Sequence, residues 1–142
     1  MINLAVATKD RHSSVLSMYG ECGYHGGLDE QDLILVAEES GRIVGAVRLC
    51  LENGFLVLRG MFILPTHQGR GIGSQMLQYL VQHHLDGHTC YCIPFAHLTQ
   101  FYGAAGFTSK SPSDVPQFLA QRLVRYCEDG HDVILMARSS AA

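Results

Sequence analysis

Gly69, Gly71 and Gly73 fall within five residues, behind an apolar run that ends in Ile63-Leu64-Pro65 and ahead of a stretch in which Leu, Met and Gln alternate. Glycines at a helix start let the backbone approach a ligand closely. The first helical N–H groups have no intrahelical acceptor, so they face an anion with the helix dipole behind them. The chemistry implied is a cradle for a diphosphate. A dinucleotide fingerprint would need a further glycine where Met76 stands, and a P-loop would need Gly-Lys-Ser/Thr, which is missing. The competing reading is a plain glycine-rich strand-to-helix turn.

What does fit is Gln68-x-x-Gly71-x-Gly73 after a strand closed by proline. A second motif, Phe101-Tyr102-x-x-x-Gly106-Phe107, follows about thirty residues later. On these two motifs the chain resembles the GNAT superfamily of acetyl-CoA-dependent N-acetyltransferases, over roughly residues 2–137. The resemblance implies a single N-acetyltransferase domain over residues 1–142 and an α/β (α+β) fold. That fold is a mixed, mostly antiparallel central sheet with helices on both faces and a splayed parallel strand pair. It also implies acetyl-CoA as cosubstrate, an amine on a small molecule or a protein as acceptor, and direct attack in a ternary complex.

Carried over by position, the backbone of Met61, Phe62 and Ile63 would hold the pantetheine arm as a neighbouring strand would, and an N–H near Phe62 or Ile63 would meet the thioester carbonyl as charge develops. Gln68 stands at a signature position. Backbone N–H groups among Gly69, Arg70, Gly71, Ile72, Gly73 and Ser74 would hold the diphosphate, with Arg70 adding charge or simply solvated. Tyr102 matches the tyrosine that protonates the departing thiolate. A free tyrosine near pKa ~10 is a weak acid towards a thiolate near ~8.5, so hydrogen-bond stabilisation or a lowered tyrosine pKa is expected. The competing reading is a tyrosine packed at a helix end.

Two departures from the family pattern bear on the acceptor. An amine must lose a proton before attack, and many relatives supply a glutamate on the strand before the glycine turn. Here that strand reads Phe55-Leu56-Val57-Leu58-Arg59-Gly60-Met61 and has none. Glu52 at the preceding turn and His97 after Pro94 are the candidates, beside a water chain. The second departure is Phe95, where many relatives carry asparagine. Arg48 and Arg59 on neighbouring strands could clamp an acceptor carboxylate, with a solvated or ion-paired role competing. Tyr24, in the Gly-rich segment 24–28, lies where the family's acceptor enters. The absent glutamate and Phe95 also keep open a catalytically weak or silent CoA-binding regulatory domain.

The elements that must position these groups follow from periodicity. Residues 2–7 read as a strand, then Asp10 can cap a helix ending near Gly23. Strands over 33–38, 43–51 and 55–64 are joined by Ser40-Gly41 and Asn53-Gly54, a meander with hairpin-turn chemistry. Met76, Leu77, Leu80, Val81 and Leu85 recur at helical spacing over 71–85, leaving Gln75, Gln78 and Gln82 outside. A strand over 88–93, parallel to its predecessor, precedes Pro94. The helix of the second motif, a strand from Phe107, a helix between 114 and 128, a strand over 132–137 and a frayed tail over 139–142 complete the chain.

With 142 residues, 47% hydrophobic and 16% charged, the chain suits one folded domain. Its apolar runs are too short for a membrane span. A net charge of −3 with dispersed Lys and Arg offers no footprint for nucleic acid. The start of the chain lacks a basic n-region and a long h-region, which points to the cytoplasm. The five cysteines are expected to be reduced. Cys90-x-Cys92 without a second pair is poor zinc spacing, and the eight histidines form no ligand pattern, so no metal is expected. Cys90 or Cys92 as a covalent acetyl carrier is set against buried, inert thiols. Oligomeric state is open, a homodimer included.

Overall fold

Two hairpins with mirror-image turns set the centre of the molecule. Strand β2 (Leu33–Glu39) turns through Ser40-Gly41 into β3 (Arg42–Glu52), which turns through Asn53-Gly54 into β4 (Phe55–Ile63). All four turn residues have positive φ, between 51° and 83°. That conformation matches the right-handed twist of the flanking strands and fixes the register at Glu39↔Arg42 and Glu52↔Phe55. The computed structural model describes residues 1–139. Among these, β1 (Asn3–Val6), β5 (Cys90–Cys92), β6 (Thr108–Lys110) and β7 (Leu135–Arg138) complete a seven-stranded sheet of order β1-β2-β3-β4-β5-β7-β6. Only β4 and β5 run parallel among the paired strands, because α2 crosses over between them.

Helices α1 (His12–Glu21), α2 (Ile72–His83), α3 (Thr99–Gly103) and α4 (Gln117–Glu128) cover both faces. Alternation along β3 separates them. Arg48 reaches Tyr24 just beyond α1, and Glu52 reaches Arg122 on α4, which puts α1 and α4 on one face. Gly45, an odd number of positions from Arg48 and paired with Ile63, lies against Met76 of α2 on the other. On α2, Ile72, Met76, Leu77 and Leu80 are buried while Gln75, Gln78 and Gln82 are exposed, as the helical spacing requires. Val57, Leu119 and Leu135 form a smaller core beneath α4.

The register of β4 breaks in one place. Ala46 pairs with Phe62 and Arg48 with Arg59, so Gly60 and Met61 both oppose Val47. Gly60 has φ 65°, the left-handed conformation of a glycine bulge. The bulge bends β4 just past Leu58↔Cys92, the last of its three parallel pairs with β5. Pro94, with no N–H to give, follows β5. Beyond that point the two strands part.

Several boundaries differ from the periodicity. A 3₁₀ turn (Lys9–Arg11) precedes α1, so Asp10 sits inside the turn and caps nothing. The β5 strand is shorter than 88–93, because the His88 N–H turns back to the Leu85 carbonyl (3.1 Å) and closes the exit from α2. Residues 132–134 leave the sheet to follow the loop after β5, with Ala96 N–H to Asp132 carbonyl at 2.9 Å and Ile134 N–H to Pro94 carbonyl at 3.0 Å. A 3₁₀ turn over Pro112–Asp114 and Pro116 at the N-cap delay α4 to Gln117. The expected tail beyond Ser139 lies outside the described residues.

Candidate active site

The glycine turn is shaped by backbone conformation more than by space. Gly69 and Gly71 have φ 79° and 77°, and a Cβ on either would meet nothing within 4 Å, so it is the left-handed φ that selects glycine. Gly71 is the N-cap of α2, and no side chain caps the helix. The first helical bond runs from the Gln75 N–H to the Gly71 carbonyl (3.1 Å), which leaves the N–H groups of Ile72, Gly73 and Ser74 without intrahelical acceptors. These open donors at a side-chain-free cap fit a diphosphate. The turn is braced from behind: Gln68 Nε2 donates to the Ile63 carbonyl at 3.1 Å, and buried His67 bridges Thr66 (2.8 Å) and Glu39 (2.9 Å).

Gly73 is glycine for a different reason. Its Cβ would stand 3.2 Å from the ring of Phe101, so α2 and α3 approach here as closely as a bare backbone allows. The two sequence motifs therefore meet in space. The Phe107 N–H returns to the Tyr102 carbonyl (3.2 Å) through Gly106 at φ 95°, which fixes the end of α3 and with it Tyr102.

A cavity of about 290 Å³ opens where β4 and β5 part. Leu58, Gly60, Met61 and Phe62 form one wall, and Cys92, Pro94, Phe95 and Leu98 the other. Tyr102 lines it from the α3 side, while Tyr24, Arg59, Arg122, Tyr126 and His131 line it from the α1 and α4 side. The cavity thus passes through the sheet. Tyr102 is 6% exposed, and burial holds its phenol protonated, with a pKa above the ordinary tyrosine range. Burial likewise pushes Cys90 up to about 12 and raises Cys92 well above the ordinary thiol range. Thiols so disposed are poor nucleophiles.

The α4 side is ionic. Arg122 grips Glu52 with two donors at 2.7 and 3.1 Å, and these hydrogen bonds hold the Glu52 carboxyl below its usual range despite partial burial. Arg59 stands 3.8 Å from the same carboxylate and donates to the Tyr126 hydroxyl at 3.4 Å. Arg48, 3% exposed, bonds Asp32 at 2.9 Å and the Tyr24 hydroxyl at 2.7 Å, and is absent from the cavity lining. Tyr24 in turn stacks on Phe62 with centroids 4.7 Å apart.

The acetyltransferase (GNAT) domain profile matches residues 30–109, more than half of the chain. The chain belongs to the GNAT acetyltransferase family. No curated protein matches it in sequence. In fold, the GNAT domain is similar to the ribosomal-protein-S18-alanine N-acetyltransferase of Escherichia coli, with TM-score 0.76 and 14% identity over 100% of this chain and 96% of that one. It is similar to Arabidopsis thaliana Naa50 in complex with the bisubstrate analogue CoA-Ac-MVNAL, with TM-score 0.70, 13% identity and 97% and 98% of the two chains covered. N-acetylglutamate synthase from Neisseria gonorrhoeae, solved with coenzyme A and N-acetyl-glutamate, gives TM-score 0.72 and 13% identity; all of this chain is covered but only 36% of that one.

Of the residues expected at the site, this GNAT domain brings Met61, Phe62, Tyr102, Arg59 and Tyr24 to one cavity. The glycine turn does not line it; Gly73 approaches Phe101, which packs on the lining residue Tyr102. Ile63 lies outside the lining, its carbonyl taken by Gln68 and, at 3.7 Å, by the Cys22 thiol. Arg70 is exposed, 3.7 Å from Glu39. His97 is exposed with its ring stacked on Phe95, and it does not line the cavity. Sequence reasoning missed Arg122, Tyr126 and His131. Their positions on and after the last helix carry no motif, and only the packing of α4 beside α1 brings them in. Among the described residues no group of His, Cys, Asp and Glu is arranged for a metal ion, and no helix is long and apolar enough to cross a membrane.

Proposed function

We propose that this domain moves the acetyl group of acetyl-CoA to a primary amine in a direct ternary complex, in the cytoplasm. The observation that carries this reading is the cavity through the splayed sheet, with Tyr102 on one side and an ionic, open lining on the other. Acetyl-CoA supplies the activated thioester. The uncapped start of α2, residues 69–74, binds its diphosphate, and the unpaired edge of β4 past Leu58 orients its arm, with Met61 and Phe62 nearest the cavity. A backbone N–H beside Phe62 stabilises charge on the carbonyl oxygen. Tyr102, kept protonated by burial, donates its O–H to the leaving sulfur. Five free cysteines suit a reducing compartment.

The amine enters between Tyr24 and α4. Arg48 acts behind Tyr24, fixing its ring against Phe62. For the proton that the amine must lose, Glu52 is committed to Arg122 and His97 is exposed outside the cavity lining. Of the lining residues His131 is the one imidazole, and we assign it the base.

Thiol release from acetyl-CoA, measured over amino acids, polyamines, aminoglycosides and peptides, tests the reading beside a thermal-shift titration. A ligand at a hundred times its Kd adds about 2.7 kcal/mol of stability. A thermal shift together with turnover of at least one amine is expected. A shift without turnover of any amine would favour a regulatory CoA-binding domain, and no shift at all would overturn both.

A further inference from the structure

The charges around the acceptor side of the cavity do not cancel. Arg48 is matched by Asp32 and Arg122 by Glu52, each at hydrogen-bond distance. Arg59 is left over. Its nearest carboxylate oxygen is 3.8 Å away on a Glu52 already gripped by Arg122, and its guanidinium donates to the Tyr126 hydroxyl at 3.4 Å. It lies on β4, the strand that also forms the cavity wall, and keeps 30% of its side chain exposed. No Asp or Glu is among the described residues that line the cavity. A cation with unused donors, in a cleft without acidic lining, repels an ammonium group and attracts an anion.

Resting on the acetyl-transfer reading above, we infer that the acceptor is a small amine that also bears a carboxylate, and that Arg59 is the residue that binds this carboxylate. A guanidinium offers two parallel donors that match a carboxylate oxygen for oxygen. The hydroxyl of Tyr126 lies beside that group. Tyr24 lines the same cavity, and its hydroxyl keeps a proton to donate because the Arg48 guanidinium uses only the oxygen. The cavity of about 290 Å³ suits an amino-acid-sized acceptor. A polyamine or a lysine-rich peptide would bring further positive charge to a site that already has one positive charge in excess.

The test is a matched pair of substrates. Thiol release is measured for α-, β- and ω-amino acids and for the carboxamide of each, with a diamine alongside, on the wild type and on Arg59→Gln and Arg59→Lys. An excess of acid over amide in kcat/KM of about tenfold or more is expected for at least one pair. Arg59→Gln should erase that preference through KM, bringing the acid down to the level of its amide, and Arg59→Lys should restore part of it. An unchanged acetyl-CoA thermal shift shows that the variants are folded. Amides or diamines turned over as well as the acids, or acid and amide falling together in Arg59→Gln, would overturn the inference and leave acetyl transfer standing. Turnover of no amine would overturn both.

Discussion

Tyr102 shows how one residue acquires its role from what surrounds it. The sequence leaves two routes for it to help a departing thiolate, a lowered pKa or a hydrogen bond from the intact phenol. Burial beside Cys92 and Cys90 raises the pKa, so the phenol keeps its proton through the whole neutral range. Replacing Tyr102 by Phe removes the donor but almost none of the packing against Phe101 and Phe107. Turnover in Tyr102→Phe should fall by about a hundredfold, with the acetyl-CoA thermal shift retained. In the wild type the rate should show no ionisation attributable to Tyr102 below pH ~10. An unaltered kcat in the variant would reduce this tyrosine to packing.

At the scale of the element, the bulge in β4 decides where the cavity opens. Gly60 adopts φ 65°, and a Cβ there would lie 2.8 Å from the Tyr19 hydroxyl and 3.2 Å from Arg48 Nε. That hydroxyl donates to the Gly60 carbonyl at 2.7 Å, so α1 is tied to the bulge itself. Gly60→Ala therefore suffers both left-handed strain and crowding. A loss of about 2–4 kcal/mol in denaturant unfolding is expected, far more than for an alanine at an ordinary strand position. The variant should also bind acetyl-CoA more weakly, because straightening β4 closes the gap to β5. Stability equal to wild type would show that the bulge tolerates a side chain.

For the molecule as a whole, the Arg122–Glu52 pair fastens α4 to the β3–β4 hairpin and so holds the acceptor side together. The Glu52 carboxyl is depressed below its unfolded value of 4.5, chiefly by the Arg122 hydrogen bonds. The sign follows directly. A depressed carboxyl stabilises the fold above its unfolded pKa, and the contribution fades as pH falls through the folded value. Glu52→Gln should lower stability at pH 7 by about 1.5–3 kcal/mol. Its deficit relative to wild type should shrink once the pH drops below 4.5 and close as Glu52 itself becomes protonated. Melting temperatures of both proteins from pH 7 to pH 3 measure this, and a constant gap would mean that the pair adds nothing through its charge.

What the sequence determined by itself was local. The hairpin turns, the amphipathic spacing of α2, the glycine turn and the Phe101-Tyr102 motif are written in neighbouring residues, since φ preferences and side-chain periods act over a few positions. The end of β5 and the start of β7 were not legible, because hydrogen bonds between residues 94–96 and 132–134 decide them across about forty positions of chain. The acceptor side was legible only in part: Arg59 and Tyr24 were named from the sequence and line the cavity, but the charge of Arg48 gave no hint that Asp32 would neutralise it. Arg122, Tyr126 and His131 come within reach only when α4 packs on the face that α1 already holds. The glycine turn depends on backbone geometry, which short motifs encode; which charges around the cavity meet and which are left over depends on residues far apart in the chain, and only the tertiary structure decided that.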